Sequence, residues 1–304
     1  MLGPHDLVLC AGTLPYGISF RDRIEAAAAA GFAAITLWGP DYARARSEGL
    51  SDADLRRLLS DAGLAVGELD SVWTWAPGTD DVVVPDAENP DGYFSVSEDE
   101  IFRIADIVGA RSVTASPWAP KSAPHTARPA RDRALERIAE GYAGLCDRAA
   151  RHGLLVQLEF LPWTLVPDLA TAGEIVRLAD RRNGGIVIDA WHLFRTATDP
   201  AVVKSVPGHR IIAVQLADAP TAAEDDLETA TLHTRLLPGE GDLPLAGLLR
   251  VLRELDAPAP IGVEVFSDDL HRLGAHEAAR RAAEATRSLL AAVRSTRSPR
   301  GDTH

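Results

Sequence analysis

Short apolar runs alternate with amphipathic stretches along the whole chain. Leu7–Leu14, Ala34–Trp38, Ala65–Val72 and Ser112–Ser116 read as the first four strands. They are mostly aliphatic, the pattern of parallel strands buried on both faces. Helices are predicted over Phe20–Gly31, over Asp52–Ala62 and over Ser97–Val108. Ser51 and Ser97 sit at N-cap positions, Glu100 completes a capping box, and Gly63 follows a helix end. The rhythm continues with a long helix over Ala130–His152, a fifth strand over Leu154–Phe160 and a helix opened by Asp168 and running to about Arg181. Then come a sixth strand, Ile186–Asp189, a short helix opened by Asp199 and Pro200, and a seventh strand, Ile211–Leu216. A helix over Leu243–Leu255, an eighth strand over Ile261–Phe266 and a closing helix over Ala275–Val293 complete the series. Trp73–Val96 and Ala219–Glu240 read as loops, and loops of such length usually carry function.

Eight successive β/α units predict a single closed (β/α)8 TIM barrel over residues 1–293, with a polar tail over 294–304. The rival is an open doubly wound sheet, which needs a glycine-rich phosphate loop after strand one. The segment CAGTLPYG is a poor match to it.

Composition narrows the function. The 304 residues carry a net charge of −13, which argues against nucleic-acid or anionic-membrane partners, since these need a basic face. The two cysteines, Cys10 and Cys146, fall in a candidate strand and a candidate helix and read as small buried hydrophobes rather than a disulfide. No apolar run is long enough to span a bilayer and no secretory signal is visible, so a cytoplasmic location is expected. Oligomeric state is left open, a homo-oligomer included.

The candidate chemistry lies at four strand ends. Strands five to eight finish with Glu159, Asp189, Gln215 and Glu264, and in a (β/α)8 barrel the carboxyl ends of the strands form the active face. Taken singly, each reads equally well as a capping or salt-bridged rim residue. Four in succession point to one centre, and an all-oxygen donor set suits a hard divalent cation. His192 lies three residues beyond Asp189, suited to exchange a hydrogen bond with a substrate hydroxyl or to serve as a rim histidine. In the long loop after strand seven, His233 and Arg235 read either as a flap over the mouth, with Arg235 holding an anionic or oxygen-rich group, or as solvated charges. Glu240 lies between two glycines and either touches substrate or orients a neighbour. Lys121 and His125 follow strand four and read as surface residues. The six tryptophans, Trp38 and Trp118 among them, all fall at strand ends or just after. They read as an aromatic wall around a cyclic or partly apolar substrate, or as plugs of the barrel top.

The motifs LEF at 158–160, D-x-x-H at 189–192, Q-L-A-D at 215–218, P-G-E-G-D-L at 238–243 and V-E-V-F at 263–266 resemble those of the xylose-isomerase-like barrel superfamily of sugar phosphate isomerases and epimerases. The resemblance implies one Mn²⁺, Mg²⁺ or Co²⁺ chelated by Glu159, Asp189, Gln215 and Glu264. It also implies His192 facing the substrate. Gln215 stands where many relatives carry histidine, which favours a harder metal than zinc. The implied reaction is proton transfer α to the carbonyl of a polyhydroxylated or cyclic ketone, through an enediolate that the cation stabilises, with Glu159 and Glu264 as the proton-transferring pair. Bacterial 3-dehydroshikimate dehydratases of the same superfamily resemble the chain around Gln215–Ala219 and His233–Gly241. A lyase using the same enolate chemistry is therefore the alternative, and a non-catalytic sugar-binding barrel a further one.

Overall fold

The computed structural model describes residues 2–77, 96–117, 128–222 and 224–295. The expected sites Trp118, Lys121 and His125, and most of the first long loop, lie outside these residues. So does nearly all of the expected tail.

Eight parallel strands close into a barrel in chain order. They are β1 (Leu7–Leu9), β2 (Ala34–Trp38), β3 (Ala65–Val72), β4 (Ser112–Ala115), β5 (Leu155–Leu158), β6 (Gly184–Asp189), β7 (Ile211–Leu216) and β8 (Ile261–Val263). Closure pairs Leu7 with Ile261 and Leu9 with Val263. The barrel is sheathed by α1 (Phe20–Ala29), α2 (Gly39–Ser47), α3 (Asp52–Asp61), α4 (Glu98–Val108), α5 (Arg128–Ala149), α6 (Leu169–Ala179), α7 (Ala190–Thr196), α8 (Leu227–His233), α9 (Leu245–Glu254), α10 (Asp268–His271) and α11 (Ala275–Ser295).

The expected N-caps act as caps, but Glu100 closes no capping box: its carboxylate accepts from Arg103 instead. The Ser51, Ser97 and Asp168 side chains accept from the backbone N–H of Asp54, Glu100 and Thr171, satisfying donors that the first helical turn leaves without partners. β2, β3 and β7 match their expected spans. Others differ. β1 stops at Leu9 because residues 11–13 turn into a 3₁₀ helix. β5 and β8 end before Glu159 and Glu264, yet both of these residues still donate backbone bonds, to Ala115 and Leu216. The expected loop Ala219–Glu240 contains α8, N-capped by Asp226. Seven residues are too short for a helical period to be read from sequence. α2 was not expected. It is capped by Asp41, which accepts from Trp38 N, and is tied inward by the buried Arg23–Asp41 ion pair at 2.8 Å. Cys10 and Cys146 are both free and buried, and burial pushes the Cys146 thiol up to about 12.

Candidate active site

The register of the barrel sets the level of the candidate ligands. Asp189 on β6 pairs directly with Gln215 on β7, and Gln215 with Gly262 on β8. Glu159 and Glu264 sit one residue beyond their strands. Asp189 also N-caps α7, its Oδ1 accepting from His192 N at 3.1 Å. The D-x-x-H spacing is therefore the geometry of a cap and its third helical residue, and it brings the imidazole back over the strand end. His192 Nε2 lies 3.7 Å from both Glu159 Oε1 and Asp189 Oδ2. The potential ligand atoms of Glu159, Asp189 and His192 fall within 4.8 Å of one another. Gln215 Nε2 donates to Glu264 Oε1 at 3.2 Å, so the other two expected ligands meet beside them.

Arg235 is drawn into this cluster rather than over the mouth. It is 2% exposed. Nε donates to Thr231 O, one Nη2 hydrogen to Thr231 Oγ1, and Nη1 to Asp189 Oδ2 at 2.8 Å and Glu264 O at 3.3 Å. Nη2 also faces His192 Nε2 at 3.4 Å. A guanidinium has five N–H donors, and these contacts engage them all. The group lies 5.4 Å from the Trp191 ring centre and 5.0 Å from that of Phe266. Both are cation–π distances.

Electrostatics follow from this crowding. Burial, with repulsion from Asp70 and Asp189, pushes the Glu159 carboxyl well above the usual range. Burial does the same at Glu264 despite Arg235. Burial alone would raise Asp189, but Arg235 and His192 outweigh it and hold it low. Burial lowers His192 to about 4, so the imidazole is neutral at pH 7. With Glu159, Asp189 and Glu264 all ionised, three carboxylates against one guanidinium would leave a net charge of −2, which one divalent cation would balance. The buried Gln215 Oε1 has no hydrogen-bond partner, which is unusual for a native amide. Donor chemistry, charge and this orphaned oxygen would suit a hard cation, with Glu159, Asp189, Gln215 and Glu264 as the residues to hold it.

The wall expected from the tryptophans is partly built by other residues. Trp38 stacks between Tyr16, at 5.8 Å, and Phe266, at 6.1 Å, and its Nε1 donates to Asp70 Oδ2. Trp163 and Trp191 pack edge-on against His192. Trp75 is buried and donates to Ser116 O. His233 and Glu240 are not brought into the cluster. Both are exposed, and His233 Nδ1 bonds Asp268 at 3.0 Å. The P-G-E-G-D-L turn is instead pinned by Asp218, which accepts from Gly239 N and Leu243 N.

Sequence reasoning passed over Ser116, which donates to Glu159 Oε2 at 2.9 Å, and Thr231, which seats Arg235. It also passed over Glu68, whose signal was present: a carboxylate inside the apolar strand β3.

A closed barrel with its polar cluster at the carboxyl ends of β5 to β8 defines a TIM-barrel protein of the active-face type. The profile of the Xylose isomerase-like TIM barrel family matches residues 24–289, and the chain belongs to that family. Its relatives are enzymes. It is 30% identical over 265 residues to a 3-dehydroshikimate dehydratase of Pseudomonas aeruginosa, covering 86% of this chain and 37% of that protein. It is 30% identical over 145 residues to an inosose isomerase of Bacillus subtilis, covering 47% of this chain and 51% of the other. The chain thus spans well under two thirds of either relative. A zinc-bound IolI protein superposes with a TM-score of 0.78 at 20% identity, over 95% of this chain and 99% of that one. At that identity the likeness speaks for the fold alone. Among the described residues no helix is long and apolar enough to cross a membrane.

Proposed function

We propose that this protein moves a proton α to the ketone of a cyclic, polyhydroxylated small molecule, as an isomerase or epimerase dependent on one divalent metal ion. The observation that carries this reading is the placement of two glutamates, part-buried Glu159 and buried Glu264, on either flank of the Asp189–Gln215 pair, with Gln215 Oε1 lacking a protein partner. Glu159, Asp189, Gln215 and Glu264 would hold the cation. Bound there, it supplies the positive charge that keeps the flanking carboxylates ionised and draws developing negative charge onto the substrate's oxygens. One glutamate takes the α-proton and the other returns it, to the opposite face for epimerisation or to the neighbouring carbon for isomerisation. Neutral His192 hydrogen-bonds a substrate oxygen, and the Tyr16–Trp38–Phe266 stack covers an apolar ring face and excludes water. Arg235, its donors already engaged, positions Asp189 and His192.

A second reading, a dehydratase, is favoured by the Pseudomonas relative matched over 86% of the chain. It shares proton removal and then expels a β-hydroxyl. The test is incubation in D₂O with Mn²⁺ or Mg²⁺ and either an inosose or 3-dehydroshikimate. Deuterium entering the carbon beside the inosose ketone supports the isomerase. Rising aromatic absorbance from 3-dehydroshikimate supports the lyase. Neither signal, with metal bound, would leave a sugar-binding barrel.

A further inference from the structure

Glu68 lies inside the barrel below the candidate cation site and is not used by the chemistry above. It is 4% exposed. Its Oε1 accepts from Thr114 Oγ1 at 2.8 Å, and its Oε2 from Gln157 Nε2. Gln157 Nε2 also donates to Thr114 Oγ1 at 3.1 Å, which ties the two partners of Glu68 together. Barrel interiors are normally filled by branched apolar side chains, and here a small cavity lined in part by Cys10, Thr36, Glu68 and Gln215 remains beside the carboxylate. A buried carboxylate so placed is costly without a task.

Its far contact supplies one. Gln215 Nε2 points to Glu68 Oε1 at 3.5 Å and to Glu264 Oε1 at 3.2 Å. With both carboxylates ionised, the state a bound cation favours, the nitrogen end of the amide is the one that can face them, since the flipped amide would set three acceptors together. The Gln215 oxygen is therefore turned away from both, and it is the oxygen left without a partner. We infer that Glu68 is a positioning residue, which locks the Gln215 amide so that its oxygen is presented to a divalent cation. This rests on the metal site proposed above. A neutral amide is a weaker ligand than a carboxylate and can rotate, so fixing its orientation from β3 compensates for what the residue type lacks.

The test is Mn²⁺ affinity of the 304-residue chain by titration calorimetry. Glu68→Leu is expected to weaken binding about 10- to 100-fold, the usual effect of losing a ligand's supporting bond. Glu68→Gln, which still offers an oxygen, should bind close to wild type. Gln215→Leu combined with Glu68→Leu should bind no worse than Gln215→Leu alone, because Glu68 acts only through Gln215. If Glu68→Leu does not fold, Glu68→Asp withdraws the oxygen while keeping the charge and carries the same expectation. Unchanged affinity in Glu68→Leu or Glu68→Asp, or losses that multiply in the double variant, overturns the positioning role while leaving the metal site intact. A wild-type protein that binds no Mn²⁺ overturns both.

Discussion

Arg235 and Asp189 form a fully buried ion pair, 2.8 Å from Nη1 to Oδ2, at the point where β6 meets α7. Removing one partner of such a pair strands the other charge in the interior, at a cost of about 3–5 kcal/mol. Arg235→Met should therefore lower the melting temperature of metal-free protein sharply. Added Mn²⁺ should recover more of that loss than it adds to wild type, because it supplies the missing positive charge. Equal melting temperatures for the two metal-free proteins would show that the pair does not carry the site's charge balance.

Chelation should abolish α-proton exchange and lower stability together. Restoring Mn²⁺ to about 100 times its dissociation constant should return about 2.7 kcal/mol, read in a denaturant titration. Activity surviving exhaustive chelation would remove the cation from the mechanism.

Glu264→Gln and Glu159→Gln should each cut turnover by about 10²–10⁴, the range for loss of a general base or acid, while circular dichroism stays native. For a two-base epimerase, one variant should still wash deuterium into one epimer without interconverting the two. Unaltered turnover in either variant would remove that glutamate from the proton pathway.

Gly12→Ala should loosen the aromatic wall. A Cβ at Gly12 would collide with the Phe266 ring, and Phe266 is held between Trp38 and Arg235. The overpacking should cost about 1–3 kcal/mol and raise KM more than it lowers kcat. A variant with wild-type stability and KM would show that Phe266 has room to retreat.

His271 links stability to pH. Burial lowers its pKa from the ordinary 6.5, and its Nε2 bonds Gly12 O at 2.9 Å, beside the Tyr16 ring. A histidine lowered in the folded state takes up its proton more readily when unfolded. Its contribution is therefore present above pH 6.5 and is lost as pH falls through the folded value. Melting temperature measured from pH 7.5 to 5 should fall less steeply in His271→Gln than in wild type. Parallel curves would assign the acid loss to other groups.

The sequence alone determined the parts of this protein that obey local rules. Parallel strands buried on both faces are mostly apolar, so β2 and β7 could be read to the residue, as could β3 despite its Glu68 and Asp70. N-caps need a short oxygen-bearing side chain, so Ser51, Ser97 and Asp168 marked helix starts. A polar side chain at the end of an apolar run stands out against its neighbours, which made Glu159, Asp189, Gln215 and Glu264 visible. Tertiary structure decided what those residues face. Arg235 is 46 residues from Asp189 and Glu68 is 147 from Gln215, and barrel closure alone brings each pair together. No periodicity in the chain records that Arg235 turns inward to spend its donors on the cluster while His233, two residues before it, turns out to Asp268. That choice is set by which buried carboxylates lack a counter-charge, and burial exists only once the eight strands have closed.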